Sequence, residues 1–112
     1  MIEGFEPRAI VIVNLVNPKE KFFGMLLALS AAGVTMRAIN LDSFDDWMRQ
    51  IARRDEDEPS IDLVTMFVPL FRVERIFLDE PVGTIPSYAQ HFAQIVGSDV
   101  REHVGAGAGG RD

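Results

Sequence analysis

Residues 17–33 read NPKEKFFGMLLALSAAG, and the fold class depends on whether this stretch forms a helix or a hairpin. As a helix it would begin with Asn17 as the N-cap and Pro18 in the first turn, and it would end at Gly33, because helices favour these residues at these positions. As a hairpin it would hold a turn at each end, with Gly33 in the left-handed position of a bulge. One face of the strand between these turns would carry four apolar residues: Phe23, Met25, Leu27 and Leu29. Propensity alone favours the helix.

Three other apolar segments have the length and composition of strands. Residues 9–15, AIVIVNL, are rich in β-branched residues and predict an internal strand. Residues 34–41, VTMRAINL, predict a second strand. Residues 63–78 form a longer apolar run that Pro69 interrupts. Because proline cannot donate to a ladder in the middle of a sheet, we expect two strands there that meet at a bend near residues 69–72.

Two helices and the limits of the domain follow from local signals. Ser43 begins a capping-box-like pattern that predicts an amphipathic helix over about 44–53, and Ser87 begins another over about 87–96. The charged run 53–59 predicts a solvated loop.

The sequence ends in GAGAGGRD, residues 105–112, which predicts a flexible glycine-rich tail. We therefore expect a single small domain over residues 7–104.

The order of these segments resembles the small five-stranded barrels of the Sm-like and Hfq-like group, which are SH3-like barrels. The resemblance covers about residues 9–80. It is carried by the strand at 10–15, the Phe-Gly-x-Leu segment at 23–26, Gly33, the strand through Leu41 and the corner FVPLFRVERI at 67–76. It implies a hairpin at 17–33 and a mainly β fold with added helices. Helix 44–53 would be an insertion between the third and fourth strands, and helix 87–96 a C-terminal addition. The alternative is a compact α/β fold with a βαβ start.

The loops that contact RNA in that group are matched poorly. Sm-like proteins carry an Asp and a polar pair such as Met-Asn after the second strand, where this chain has SAAG at 30–33. Their second RNA-contacting loop is basic, whereas here Leu70 and Phe71 precede Arg72, and only Arg72 could take a comparable role. The resemblance therefore implies a barrel with a ring-forming edge, and it does not imply RNA binding.

Composition excludes several classes of protein. The 112 residues include 17 acidic and 11 basic residues, a net charge of −6, and no cysteine. Disulfide frameworks, zinc ribbons and cysteine nucleophiles are excluded, and the negative charge disfavours nucleic acid as a partner. The acidic start does not fit a signal peptide, and no apolar stretch reaches the ~18 residues of a membrane span. We expect a cytoplasmic protein with no membrane partner.

The residues that could bind a metal or take part in catalysis have ordinary structural explanations. His91 and His103 do not have a chelating spacing, and three acidic residues fit the first turn of the predicted helix at 44–53, where carboxylates complement the helix dipole: Asp42, Asp45 and Asp46. No glycine-rich phosphate loop and no G-x-S-x-G elbow are present. We expect no cofactor, no metal site and no catalytic residue.

The sharpest functional signal is the run 63–71, LVTMFVPLF, which is apolar on both faces of a strand. Such a strand is either buried at the centre of a sheet or forms an edge that another subunit covers. The predicted interaction surface comprises Phe67, Leu70, Phe71, Arg72 and Arg75. The paired charges from Arg72 to Arg75 also fit an ordinary solvated strand.

Three functions are consistent with the sequence. The leading hypothesis is a non-catalytic protein-interaction module that forms a homo-oligomer or binds a protein partner. The alternatives are an RNA- or single-stranded-DNA-binding Sm-like protein, which would use Phe71, Arg72 and Arg75, and a small α/β ligand-binding or signalling domain, which requires residues 17–33 to be helical.

Overall fold

The computed structural model describes residues 3–53 and 61–105. The predicted charged loop beyond Arg53 and the predicted tail beyond Gly105 lie outside the described residues. Five strands are described: β1 (Ile10–Leu15), β2 (Glu20–Leu29), β3 (Gly33–Asn40), β4 (Val64–Pro69) and β5 (Val73–Leu78). The described helices are α1 (Phe44–Arg53), α2 (Tyr88–Val96) and α3 (Arg101–Val104), with short 3₁₀ turns at Leu41–Ser43 and Leu70–Arg72. The expectation of a mainly β fold with added helices is confirmed.

The strands form one antiparallel sheet in the order β4-β3-β2-β1-β5. Strands β4 and β5 are consecutive in the chain, yet they lie at opposite edges and are joined by Leu70–Arg72, which we call the corner turn. Four inter-strand steps of a flat sheet would separate the edges by about 19 Å. The connection from Pro69 to Val73 spans at most about 14 Å, so the sheet is strongly curved. Within the described residues no ladder joins β4 to β5, and the sheet is not closed.

Residues 17–33 form a hairpin arm, so the alternative of a compact α/β fold with a βαβ start is wrong. Strand β2 pairs with β1 on one side and with β3 on the other. Gly24 explains part of this outcome. A Cβ there would lie 1.9 Å from the carbonyl oxygen of Arg37, so β2 and β3 can approach this closely only at glycine. Glycine also weakens a helix interior by about 1 kcal/mol relative to alanine.

Gly33 has a role other than the predicted left-handed bulge. Its φ is 159°, close to extended, and a Cβ there would lie 2.2 Å from the carbonyl oxygen of Val68. The reason for glycine is thus the close approach of β4.

A register shift between Leu26 and Ala28 moves Leu29 away from the face of Phe23, because one extra residue reverses the alternation of side chains.

Each face of the sheet carries a hydrophobic core. We call one the helix-covered face, because α1, α2 and α3 pack on it. Its largest buried side chains are Phe23, Phe44, Trp47, Met48 and Phe92. Rings from the sheet and the helices meet directly, with centroids 4.9 Å apart for Phe23 and Phe44 and 5.2 Å apart for Trp47 and Phe92. The opposite face buries smaller residues: Val11, Val13, Leu15, Leu26, Val34, Met36, Ala38 and Val68.

The two predicted helices are confirmed, with differences at their starts. Helix α2 has the full capping box between Ser87 and Gln90, and Gly97 ends it with a φ of 90°. Helix α1 is preceded by the 3₁₀ turn at Leu41–Ser43, which the Asn40 side chain caps by accepting from the N–H of Asp42. Helix α3 is too short for the sequence pattern to have revealed. In the described part of the chain, no helix has the length and apolar character to cross a membrane.

Candidate interaction surface

Strand β4 and the corner turn leave large apolar side chains open to solvent. The exposed fractions are 53% for Val64, 54% for Phe67, 43% for Leu70 and 83% for Phe71. We call these four residues the apolar edge. The alternative that the run 63–71 is buried at the centre of a sheet is therefore wrong for most of the run, since only Leu63 and Val68 are buried.

The position of β4 explains this exposure. It is an edge strand that pairs only with β3, so one side of its backbone has no ladder partner among the described residues. The N–H of Leu70 donates to Ala32 beside β3, at 3.0 Å. Because backbone groups alternate in direction along a strand, Thr65 and Phe67 direct their N–H and C=O groups away from β3. The apolar edge thus combines apolar side chains with backbone groups that have no ladder partner in the described part of the chain.

Arg72 does not belong to the exposed surface. Its Nε donates to the carbonyl oxygen of Val16 at 2.9 Å, and its Nη2 donates to that of Pro18 at 2.8 Å. The same nitrogen lies 3.2 Å from Oε1 of Glu20. The guanidinium therefore links the corner turn to the β1–β2 connection, and this role occupies the donors of Nε and Nη2.

Arg75 lies on β5, at the other edge of the sheet. Its side chain is exposed, lies 3.5 Å from the carboxylate of Glu74 and sits over the ring of Phe77 at 5.8 Å from the ring centroid. The five residues of the predicted interaction surface thus divide into three groups. Phe67, Leu70 and Phe71 lie on β4 and the corner turn, Arg72 is held by the β1–β2 connection, and Arg75 lies on β5. The sequence did not separate Arg72 and Arg75 from the other three. It also missed Val64, whose only signal was its place in the two-sided apolar run.

The potential metal ligands and the histidines of the described residues can be placed in the same way. No group of three or more His, Cys, Asp or Glu side chains within residues 3–53 and 61–105 is arranged to hold a metal ion. His103 lies 3.1 Å from the hydroxyl of Ser98 and packs on Phe92.

Relatives give no further information about this site. Comparison with protein-family models, with curated proteins and with solved structures finds no significant match to this chain.

Proposed function

We propose that this protein is a non-catalytic interaction module that self-associates through the apolar edge. The observation that carries the proposal is an edge strand, β4, that exposes Phe67, is followed by the exposed Phe71, and has backbone groups without a ladder partner among residues 3–53 and 61–105. Natural proteins usually protect such edges with charges, because an open edge recruits other strands. Strand β4, VTMFVP, has no charged residue, whereas β5 carries Glu74 and Arg75.

A second copy of the chain is the partner that fits best. Each chain carries a net charge of −6, so two copies repel each other at long range, and an uncharged contact is the one that adds no local pair of like charges to this repulsion. The apolar edge provides such a contact. A pairing of β4 with β4 would be two-fold symmetric, and a pairing of β4 with β5 of the next copy would be head-to-tail and would form a ring or a filament.

The curvature of the sheet supports a further part of the proposal. We infer that the sheet is an open form of the small five-stranded barrel found in the Sm-like group. Supporting this are the strand order, the three-residue link between opposite edges and the close approach at Gly24. The nucleic-acid alternative is weakened, because Arg72 is held by Val16, Pro18 and Glu20.

Self-association can be measured by sedimentation equilibrium from micromolar to submillimolar concentrations. We expect a mass above that of one chain for the natural protein and the mass of one chain for the double variant Phe67→Glu/Phe71→Glu. Burying a Phe side chain stabilises a complex by about 2 kcal/mol. The single variant Phe71→Ala should therefore raise the dissociation constant roughly 30-fold for each Phe71 ring that the contact buries.

The matched control is Ile95→Glu, which places the same charge on an exposed apolar residue of α2. The control should associate as the natural protein does, and the fluorescence of Trp47, the single tryptophan, should show that every variant is folded. A natural protein that sediments as one chain throughout the range contradicts the proposal. So does dissociation of the Ile95→Glu control together with the double variant.

A further inference from the structure

A second region of the molecule, away from the apolar edge, has the character of a small-molecule site. It is a cleft of about 480 Å³ on the helix-covered face, between the sheet and the segment that leads from β5 into α2. Small-molecule sites in proteins typically enclose about 300–1,000 Å³. The cleft is therefore large enough for a ligand of modest size.

Three polar side chains from three adjacent strands lie in a row along the floor of the cleft. Asn14 on β1 lies directly opposite Lys21 on β2 and directly opposite Arg75 on β5. Cross-strand partners have Cβ atoms about 5 Å apart and point to the same face. Lys21 and Arg75 therefore flank Asn14 on either side. We call these three residues the polar row.

The side chain of Asn14 is unexplained by the fold. Its Oδ1 is buried and has no hydrogen-bond partner among the described residues, a situation that costs about 1–3 kcal/mol. The preceding residues on the same face, Ile10 and Ile12, belong to the hydrophobic core. A core-forming residue at position 14 would avoid this cost. The other atom of this amide, Nδ2, is not buried in this way and has no hydrogen-bond partner among the described residues, so at the border of the cleft it can donate to a ligand that carries acceptor atoms.

Two cations, Lys21 and Arg75, and two carboxylates, Asp79 and Glu80, line the cleft, and the two cations are the groups with few partners. Within residues 3–53 and 61–105, no carboxylate forms an ion pair with Lys21, and Arg75 has only its sequence neighbour Glu74 at 3.5 Å. Asp79 also borders the cleft, but its two oxygens accept the N–H groups of Tyr88 and Ala89 at the start of α2. Glu80, on the rim, is the remaining carboxylate.

The adjoining cleft is less suited to an anion. It has a volume of about 380 Å³ and shares Asn14 and Lys21, but three carboxylates border it: Glu20, Asp42 and Glu74. An anion bound to the polar row would therefore lie on the side of Arg75.

The walls of the larger cleft are apolar. Phe77, Val82, Ile85 and Tyr88 line it and are all exposed. The ring of Phe77 stands beside the guanidinium of Arg75, and an aromatic ligand would stack against such a pair. The cleft therefore joins a cationic, hydrogen-bonding floor to aromatic and aliphatic walls.

We propose that this cleft binds a small organic anion, in which an aromatic or aliphatic body carries a phosphate or carboxylate group. The anionic group lies between Lys21 and Arg75 and accepts from the amide of Asn14. The body of the ligand packs against Phe77 and Tyr88. The site contains no residue of the apolar edge, so it stays open in the β4–β4 pairing, whereas a β4–β5 pairing would place the next copy beside Arg75 and Phe77.

The test is an NMR titration of the full-length, ¹⁵N-labelled protein with four probes. Phenyl phosphate and phenylacetate carry both a ring and an anion, inorganic phosphate carries only the anion, and benzyl alcohol carries only the ring. We expect one or both of the first two to shift the amides of Asn14, Lys21, Arg75 and Phe77, with a dissociation constant on the order of 1 mM, as small ligands of this size allow. The stronger of the two identifies phosphate or carboxylate as the preferred group. Inorganic phosphate and benzyl alcohol should each bind roughly 10-fold more weakly, since each lacks one half of the recognised structure.

Variants of the polar row connect binding to these residues. Lys21→Gln and Arg75→Gln should each weaken binding of the better probe roughly 10-fold, as the loss of a charge-assisted contact does. The matched control Arg49→Gln removes an exposed Arg from α1 and should leave binding unchanged. Asn14→Leu should abolish binding while raising the midpoint of urea unfolding, because it removes the orphaned polar atom.

Three results would each overturn the proposal. The first is that neither ring-bearing anion shifts these amides. The second is that binding survives in both Lys21→Gln and Arg75→Gln. The third is that Asn14→Leu is less stable than the natural protein, which would make Asn14 a structural residue.

Discussion

Replacing Gly24 by alanine should destabilise the protein more than the same replacement at Gly33, the other glycine in the described strands. A Cβ at position 24 would lie 1.9 Å from the carbonyl oxygen of Arg37 and 2.7 Å from the Cα of Ala38, whereas ordinary contact begins at 3.4 Å. The strands would have to separate by about 1.5 Å, the difference between 3.4 and 1.9. Strand β2 cannot retreat, because Val11 of β1 is paired with Gly24 on the other side.

The loss of stability should be large because β2 lies between two paired strands, β1 and β3, and cannot move away from either. Overpacking a core costs about 1–3 kcal/mol, and here the obstacle is backbone, so we expect about 3 kcal/mol or more. This is a large part of the 5–15 kcal/mol that stabilises a typical domain. At about 4 °C per kcal/mol for a chain of this length, the melting temperature should fall by about 12 °C.

Urea unfolding followed by the fluorescence of Trp47 measures this change, since Trp47 is buried in the core. Gly83→Ala is the matched control, because Gly83 has a φ of 59° and no atom lies within 4 Å of the added Cβ. That variant should lose only the cost of a left-handed alanine, about 1 kcal/mol. Equal losses in the two variants would refute the close approach of β2 and β3.

Three other substitutions test separate parts of the fold. Ser87→Ala removes the hydrogen bond that begins α2 and should cost about 1 kcal/mol in urea unfolding. Arg72→Met removes the bonds to Val16 and Pro18; it should cost about 2 kcal/mol and speed amide exchange in the β1–β2 connection. Phe92→Ala empties a fully buried position and should cost about 3–5 kcal/mol in thermal unfolding; a smaller loss would mean that α2 is not docked on the sheet.

The elements that sequence reasoning predicted well have local causes. The helix at 44–53 and the capping box at Ser87 depend on residues within one or two turns, so their signals are complete in the sequence. The bend near Pro69 depends on a single missing N–H. Residues 17–33 were ambiguous, because strong helix formers compete there with a glycine whose role depends on the distant Arg37 carbonyl.

The features that sequence reasoning missed depend on register between distant segments. Arg72 looks like a free surface cation in the sequence, and only the fold brings it to Val16 and Pro18. The polar row arises because residues 14, 21 and 75 fall into register across three strands. A one-residue change in either pairing would place these side chains on opposite faces.

The pairing of β1 with β5 has a consequence for synthesis of the protein. Val11 pairs with Leu78, so one side of the first strand stays without its partner until the last strand has left the ribosome. At about 5–20 residues per second, the chain from Val11 to Leu78 takes roughly 3–13 s to make. During that time Ile10–Leu15 is an apolar strand with an open side, and a nascent chain in this condition can aggregate or bind a chaperone. Slowing translation between residues 30 and 70 should therefore lower the yield of folded protein.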